Sequence, residues 1–165
     1  CTIDIFLRFF VKSAILYPDT DVYNTGGRLL KRGETMKLPK ILIADDDKDV
    51  RDVIQSLLHK QLRCTFETAS DGAEAIEKIK KGEFDLVLLD VMMPGLSGID
   101  VIKKVLALSP GTKIVVISAY DSQDVSQRAL EAGATDYITK SLLKEEIRSK
   151  IQHILVASGK SSPKK

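Results

Sequence analysis

The strongest constraint on the fold is a regular alternation between short apolar runs and segments with helical periodicity. The apolar runs, each of strand length, are residues 40–45, 64–69, 85–90, 113–118 and 136–139. The helical patterns that follow them are residues 49–62, 71–82, 98–108, 122–133 and 142–156. Strands that alternate with helices form a parallel sheet, and continuously apolar strands are covered on both faces. We therefore predict an α/β protein with five parallel strands and five helices.

The order of the strands is limited by the connections between them. Crossovers between parallel strands are right-handed, which leaves only a few doubly wound arrangements. We predict the flavodoxin-like order 2-1-3-4-5, in which the first and third strands are neighbours and the winding reverses between them. The sequence contains no internal repeat that would indicate a second copy of this unit.

Composition divides the chain into three parts. Residues 36–157 carry the alternating pattern and have the length of one globular domain. Residues 158–165 are polar, and we predict a disordered tail there. We interpret residues 1–35 as a non-native or disordered extension, because the codons for residues 32–34 can spell a ribosome-binding site shortly before the start codon of Met36. The alternative is a genuine amphipathic extension that docks on the domain or on a partner.

Charge, cysteine content and hydropathy exclude several classes of protein. The formal net charge of +2 is too small to indicate nucleic-acid binding or attraction to an anionic membrane. Cys1 and Cys64 provide neither a disulfide framework nor metal-ligand spacing. The apolar stretch at residues 3–16 is interrupted by three charged residues and is shorter than a membrane span. These features are typical of a cytoplasmic protein with no membrane segment and no direct contact with nucleic acid.

Polar side chains stand at the carboxyl ends of four predicted strands. Asp45 ends the first and Asp46 follows it, Asp90 ends the third, Ser118 ends the fourth and Lys140 follows the fifth. In the predicted order these positions converge at the edge where such sheets bind ligands. Close carboxylates repel each other by about 4 kcal/mol per pair at an intermediate dielectric constant, so protonation or a cation must relieve the repulsion. Oxygen ligands alone favour Mg²⁺, and a lysine beside a metal-bound aspartate suits phosphoryl transfer to Asp90.

Each of these residues, taken alone, also has a purely structural interpretation. An acid after the first strand, Asp46 or Asp47, is a suitable helix N-cap. The other candidates are ordinary turn, surface, packing or aromatic residues when considered singly; they are Ser118, Lys140, Met92, Met93 and Tyr137. The combination of one polar group at each of four strand ends favours a chemical role over these separate explanations.

The motifs that contain these residues resemble the receiver domain of bacterial two-component response regulators, of which the chemotaxis regulator is the single-domain example. The matching segments are ILIADDD for the acidic pair, LVLLDVMMPGLSG for the phosphoacceptor loop, VVISA for the hydroxyl position and DYITK for the aromatic and lysine positions. The resemblance covers residues 37–156. It implies a phosphorylation-activated signalling switch that catalyses only its own phosphorylation and slow dephosphorylation.

The resemblance assigns a role to each carboxylate. Asp90 would accept a phosphoryl group from a phosphohistidine on a sensor histidine kinase or a histidine phosphotransfer protein. Asp46, Asp90 and the backbone carbonyl of Met92 would bind Mg²⁺, and Asp45 would assist through a water molecule.

The resemblance also implies how phosphorylation is read out. Lys140 and Ser118 would contact the phosphoryl group, and Ser118 and Tyr137 would act as the switch. The surface of the fourth helix, fifth strand and fifth helix would then bind an output protein that the sequence does not identify. The protein would be a monomer or a weak phosphorylation-dependent dimer.

Three positions qualify what the resemblance implies. Ser141 stands where the family has a proline with a cis peptide bond; a cis bond without proline costs about 2.5–4 kcal/mol, so we expect a trans bond and a shifted loop. Met92 and Tyr120, two residues beyond Asp90 and Ser118, are bulky and not acidic. Because they offer an attacking water little help, we predict slow self-dephosphorylation.

Other functions share parts of this pattern. The chain is alternatively a receiver fragment of a longer transcriptional or enzymatic regulator. A phosphatase of the haloacid dehalogenase type also uses a strand-end aspartate and Mg²⁺, but it has a second aspartate where this sequence has Met92. A flavin-binding protein of the flavodoxin type needs a phosphate-binding loop after the first strand, where the acids of ADDDKD would repel phosphate.

Overall fold

The computed structural model describes residues 38–60, 62–119 and 122–158, together with the backbone of residues 22–23 and 29–30. The chain divides into two compact units, Cys1–Met36 and Lys37–Lys165. In the first unit, Val22–Tyr23 pairs antiparallel with Leu29–Leu30. The predicted non-native extension and the predicted C-terminal tail fall almost wholly outside the described residues, and both stay predictions.

The second unit contains a five-stranded parallel sheet in the order β2-β1-β3-β4-β5. The strands are β1, Lys40–Ala44; β2, Thr65–Ala69; β3, Leu86–Leu89; β4, Lys113–Ser118; and β5, Asp136–Thr139. This order confirms the predicted fold, with the winding reversal between β1 and β3. Ala44 and Leu89 are register partners at the ends of those two strands, so the residues that follow them start side by side.

An α-helix follows each strand of this sheet. The helices are α1, Lys48–His59; α2, Gly72–Lys81; α3, Gly98–Leu108; α4, Gln123–Glu131; and α5, Leu143–Ala157. A single 3-10 turn, Lys140–Leu142, joins β5 directly to α5. Within the described part of the chain, no helix combines the length and the apolar character that crossing a bilayer requires.

The helices cover both faces of the sheet and enclose two cores. Successive residues of β1 point to opposite faces, with Leu42 in the first core and Ile41 and Ile43 in the second. Residues of α2, α3 and α4 complete the first core, whereas α1 and α5 complete the second. The central strands are therefore buried on both faces, which explains their continuous apolar sequence.

Helix α1 ends before the carboxyl end of its predicted range, 49–62. Its N-cap is Asp47, in agreement with the structural interpretation of that residue. The helix ends at His59 rather than at residue 62, and Leu62 is buried in the second core beyond the helix end. Val53 is 43% exposed, because a step of one residue along a helix turns it away from the buried Ile54.

Lys150 of α5 contacts two residues of β5. Its Nζ atom donates to the carbonyl oxygen of Tyr137 over 2.8 Å and lies 3.1 Å from Asp136 Oδ1 and 3.2 Å from Glu146 Oε2. Burial acts to lower the pKa of Lys150, but the bonds to Asp136 and Glu146 outweigh it and raise that pKa above its usual value. The ammonium therefore stays charged and holds α5 against the edge strand.

Candidate functional site

An acidic pocket lies at the carboxyl edge of the sheet, beyond β1 and β3. Asp45 follows β1 and is 1% exposed, Asp90 follows β3 and is 4% exposed, and Asp46 is exposed. The backbone N–H of Asp90 donates to the carbonyl oxygen of Ala44 over 2.8 Å, which continues the strand pairing into the pocket. One carboxylate oxygen from each of the three aspartates lies within 4.8 Å of the other two.

Two backbone amides orient the buried carboxylates. The N–H of Asp47 donates to Oδ1 of Asp45, and the N–H of Met92 donates to Oδ1 of Asp90, each over 2.9 Å. These are the local turns that aspartate side chains form with the backbone two residues further on. In both aspartates, Oδ1 is thus bound by the main chain and Oδ2 is the atom that meets Lys140.

Lys140 supplies a positive charge to both buried carboxylates. Its Nζ atom lies 2.6 Å from Asp90 Oδ2 and 2.8 Å from Asp45 Oδ2. The lysine begins the 3-10 turn that follows β5, and 22% of its side chain is exposed. Residues that follow β1, β3 and β5 therefore meet in one pocket, as the predicted strand order implies.

Burial and charge act in opposite directions on the pKa values of the pocket. Burial raises the pKa of Asp45 above its usual value, although Lys140 and the N–H of Asp47 oppose the shift. Burial also acts to lower the pKa of Lys140, but its bonds to Asp45 and Asp90 outweigh that effect and raise the pKa. One ammonium thus leaves Asp45 short of positive charge, and an additional cation would stabilise its ionised form.

The donor atoms of the pocket fit a hard divalent cation. They are carboxylate oxygens without a histidine nitrogen or a thiolate, which is the ligand type of Mg²⁺. Oδ2 of Asp45 is buried and accepts no hydrogen bond of good geometry from the described residues, its contact being the ion pair with Lys140. A buried oxygen with unused lone pairs suits a metal or a metal-bound water. Asp45, Asp46 and Asp90 are therefore the residues that could hold Mg²⁺.

The predicted hydroxyl and aromatic residues lie on the two strands beyond β3. Ser118 ends β4, is fully buried and is the register partner of Thr139 in β5. Tyr137 is half-buried and packs against the first core. Met92 is 55% exposed at the pocket, whereas Tyr120 lies outside the described residues. The structure thus positions the hydroxyl and the aromatic ring on adjacent strands and leaves the prediction for Tyr120 as a prediction.

The missing proline does not prevent the lysine from reaching the pocket. The peptide bond between Lys140 and Ser141 is trans, as expected for serine at this position. The chain turns at once into the 3-10 segment, and the Ser141 hydroxyl donates to Oγ1 of Thr139 over 3.2 Å. Lys140 contacts both buried carboxylates from this turn.

Sequence reasoning missed Arg51, a residue of α1 that contacts the acidic loop. Its Nη1 atom donates to the carbonyl oxygens of Asp45 and Asp46, over 2.5 Å and 3.2 Å. The only signal available in the sequence was a basic residue in the first turns of the helix that begins after the acidic pair.

The chain is similar to one family of known proteins. A family model described as the response regulator receiver domain matches residues 41–152. Sporulation initiation phosphotransferase F of Bacillus subtilis is 32% identical over 116 residues, which cover 70% of this chain and 93% of that protein. The crystal structure of a CheY-like response regulator receiver domain protein from Methanospirillum hungatei JF-1 is similar with a TM-score of 0.69 and 31% identity, over 75% of this chain and 98% of that one.

Some relatives are much longer than this chain. The cyclic di-GMP phosphodiesterase of Thermotoga maritima is 36% identical over 115 residues, which cover 70% of this chain but only 30% of that protein. The similarity to that relative is therefore confined to a part of it, and its named activity is a property of the longer protein.

Proposed function

The chain belongs to the response regulator receiver domain family, and on this premise we propose that it is a signalling switch activated by phosphorylation of Asp90. The observation that carries the proposal is the convergence of Asp45, Asp46 and Asp90 within 4.8 Å, with Lys140 2.6 Å from Asp90 Oδ2. This arrangement offers a carboxylate nucleophile, a site for a divalent cation and a fixed ammonium for the incoming phosphoryl oxygens.

The donor is a phosphohistidine on a sensor histidine kinase or a histidine phosphotransfer protein, the partner class of receiver domains. A carboxylate oxygen of Asp90 attacks the phosphorus atom, the bond from phosphorus to the imidazole nitrogen breaks, and an acyl phosphate remains on Asp90. Lys140 then transfers its contact from the carboxylate to the phosphoryl oxygens. Asp46, Asp90 and the carbonyl of Met92, together with Asp45 through water, would hold Mg²⁺, which would neutralise part of the phosphoryl charge.

Readout follows from the added charge. The acyl phosphate carries nearly two negative charges and new acceptor oxygens, which Ser118 meets from the end of β4. Movement of Ser118 frees space for Tyr137, and the surface of α4, β5 and α5 changes for an output protein. Support for this route comes from the placement of the two residues on adjacent strands, with Tyr137 only half-buried.

A second candidate is the same switch acting as the receiver part of a longer regulator. This candidate is favoured by the similarity to the cyclic di-GMP phosphodiesterase of Thermotoga maritima, because the matched residues cover only 30% of that protein. A phosphatase of the haloacid dehalogenase type is disfavoured, because Met92 stands where the acid–base aspartate would be needed.

The proposal is tested with acetyl phosphate as the phosphodonor. Wild type and Asp90→Asn are incubated with and without MgCl2, and intact masses are recorded. We expect one phosphoryl group on wild type with Mg²⁺, and none on Asp90→Asn or without Mg²⁺. A folded wild type that gains no phosphoryl group from acetyl phosphate or from a histidine phosphotransfer protein would contradict the proposal.

A further inference from the structure

Arg51 ties the acidic loop to the helix that follows it. Its Nη1 atom donates to the carbonyl oxygen of Asp45 over 2.5 Å and to that of Asp46 over 3.2 Å. The side chain is half-buried and reaches back from α1 to the two residues that bring carboxylates to the pocket. One guanidinium thus restrains two consecutive peptide groups of the loop between β1 and α1.

This restraint matters most for Asp46. The carboxylate of Asp45 is fixed by the N–H of Asp47 and by Lys140. The carboxylate of Asp46 is exposed and makes no hydrogen bond or ion pair within the described part of the chain. The direction of the Asp46 side chain therefore depends on the peptide groups on either side of it, and these are the groups that Arg51 holds.

We infer that Arg51 is a positioning residue for Mg²⁺ binding, which acts through the backbone of Asp45 and Asp46 and does not touch the ion. The inference rests on the proposed function, in which the acidic pocket holds Mg²⁺. A guanidinium suits this role because it carries several donors in a fixed plane and stays charged at any physiological pH. Groups that orient metal ligands in this way contribute to metal affinity without being ligands themselves.

Arg51 has two effects on cation binding, and they are opposite in sign. As a positive charge near the carboxylates it repels a divalent cation, so its removal would strengthen binding. As a restraint on the loop it lowers the cost of ordering Asp46, so its removal would weaken binding. The sign of the change therefore separates positioning from simple electrostatics.

The test is a titration of the full chain with MgCl2 in the absence of any phosphodonor. Affinity is measured by calorimetry and by the backbone amide NMR signals of residues 45–47, for wild type, Arg51→Gln, Arg51→Lys and Lys48→Gln. Lys48 is the matched control, because it is an exposed cation of the same helix whose ion pair, at 2.5 Å, is with Asp52 and not with the loop. We expect Arg51→Gln to weaken Mg²⁺ binding roughly tenfold and Arg51→Lys to weaken it less. Lys48→Gln is expected to leave the affinity unchanged or slightly higher.

Several outcomes would overturn the inference. If Arg51→Gln binds Mg²⁺ as tightly as wild type or more tightly, Arg51 affects binding only through its charge and not by restraining the loop. Equal weakening by Lys48→Gln would show that the loop contacts are irrelevant. If Arg51→Gln does not fold, Arg51→Lys provides the test, because it keeps the charge but not the planar donor. An Mg²⁺ affinity of Arg51→Lys equal to that of wild type would then contradict the inference. A wild type that binds no Mg²⁺ would overturn the proposed function as well.

Discussion

The Lys140 ammonium lies 2.6 Å from Oδ2 of Asp90, although 50 residues separate the two in sequence. The same ammonium lies 2.8 Å from Oδ2 of Asp45, so one lysine serves two buried carboxylates. Because like charges in a partly dry pocket repel each other, this sharing makes the pocket sensitive to any change in its positive charge.

Replacing Lys140 with methionine should destabilise the protein in the absence of Mg²⁺. The substitution keeps most of the side-chain volume but leaves two buried carboxylates without their ammonium, and we expect a loss of about 2 kcal/mol in the free energy of unfolding. Added Mg²⁺ should recover part of the loss, because the ion replaces the missing charge. Urea unfolding with and without MgCl2 measures both effects.

The matched control is Lys144→Met on the exposed surface of α5. It removes the same charge at a position outside the pocket, and we expect a change within about 0.5 kcal/mol. A loss in Lys140→Met no larger than in this control would show that the pocket does not depend on its lysine.

Gly98→Ala should disturb the loop that carries Asp90. A Cβ atom at Gly98 would lie 2.3 Å from Cα of Val91, the residue next to Asp90, so the backbone would have to move. We expect a loss of about 1–3 kcal/mol in the free energy of unfolding, together with slower phosphorylation by acetyl phosphate. Chemical unfolding and the rate of mass gain measure the two effects.

Gly111→Ala is the control for this substitution. Nothing lies within 4 Å of a Cβ atom at Gly111, and its loop is remote in sequence from the pocket. We expect stability and phosphorylation rate close to those of wild type. Equal behaviour of the two alanine variants would argue against a steric role for Gly98.

Glu74 should make a contribution to stability that depends on pH. The backbone N–H of Ser70, followed by Lys78 and the Ser70 hydroxyl, lowers the pKa of Glu74 from 4.5 to about 2. Since the pKa of Glu74 is lower in the folded state than in the unfolded state, its contribution to stability is fully present above pH 4.5. The contribution is lost as the pH falls towards 2. The side chain is 40% exposed, so we expect about 1 kcal/mol or less.

The measurement is the difference in free energy of unfolding between wild type and Glu74→Gln across this pH range. The difference should be largest above 4.5 and should shrink on acidification. Glu77→Gln, which removes an exposed partner of Lys80 in the same helix, is the comparison and should show the weaker dependence. A Glu74→Gln difference that is constant with pH would contradict the expected linkage.

The acyl phosphate on Asp90 should be long-lived, and two substitutions should shorten its life. Met92 is 55% exposed at the pocket and has no group that could orient a water molecule. Met92→Asn combined with Tyr120→Glu would introduce such groups, and we expect decay faster by on the order of tenfold. Intact mass recorded over time after removal of the phosphodonor gives the rate. An unchanged rate, equal to that of the remote surface variant Leu108→Asn, would refute this prediction.

Periodicity and strand-end residues predicted the sheet, its order and the meeting of Asp45 and Asp90. The bounds of α3, β4 and β5 agree with the sequence patterns at both ends, since an apolar run records burial directly. The end of α1 was less predictable, because Leu62 continues the apolar spacing although the helix ends at His59.

The contacts of Arg51 and the sharing of Lys140 could not be read from the sequence. A bond from a side chain to a backbone carbonyl leaves no repeating pattern, because it depends on the path of one loop and not on burial. The pairing of Lys140 with two carboxylates depends in the same way on how far three strands extend in space. The sequence therefore predicted where the pocket lies, and the structure was needed to show that one ammonium is shared between two carboxylates.

The link between β5 and α5 has a mechanical consequence. Only the single turn Lys140–Leu142 lies between strand and helix, and Lys150 bonds back to the carbonyl of Tyr137. The bond between Lys150 and Tyr137 thus closes a loop of contacts through the strand, the turn and the first half of the helix, and this loop contains no flexible segment. Because no flexible loop separates the strand from the helix, we expect a displacement of the Lys140 ammonium to move β5 and α5 together.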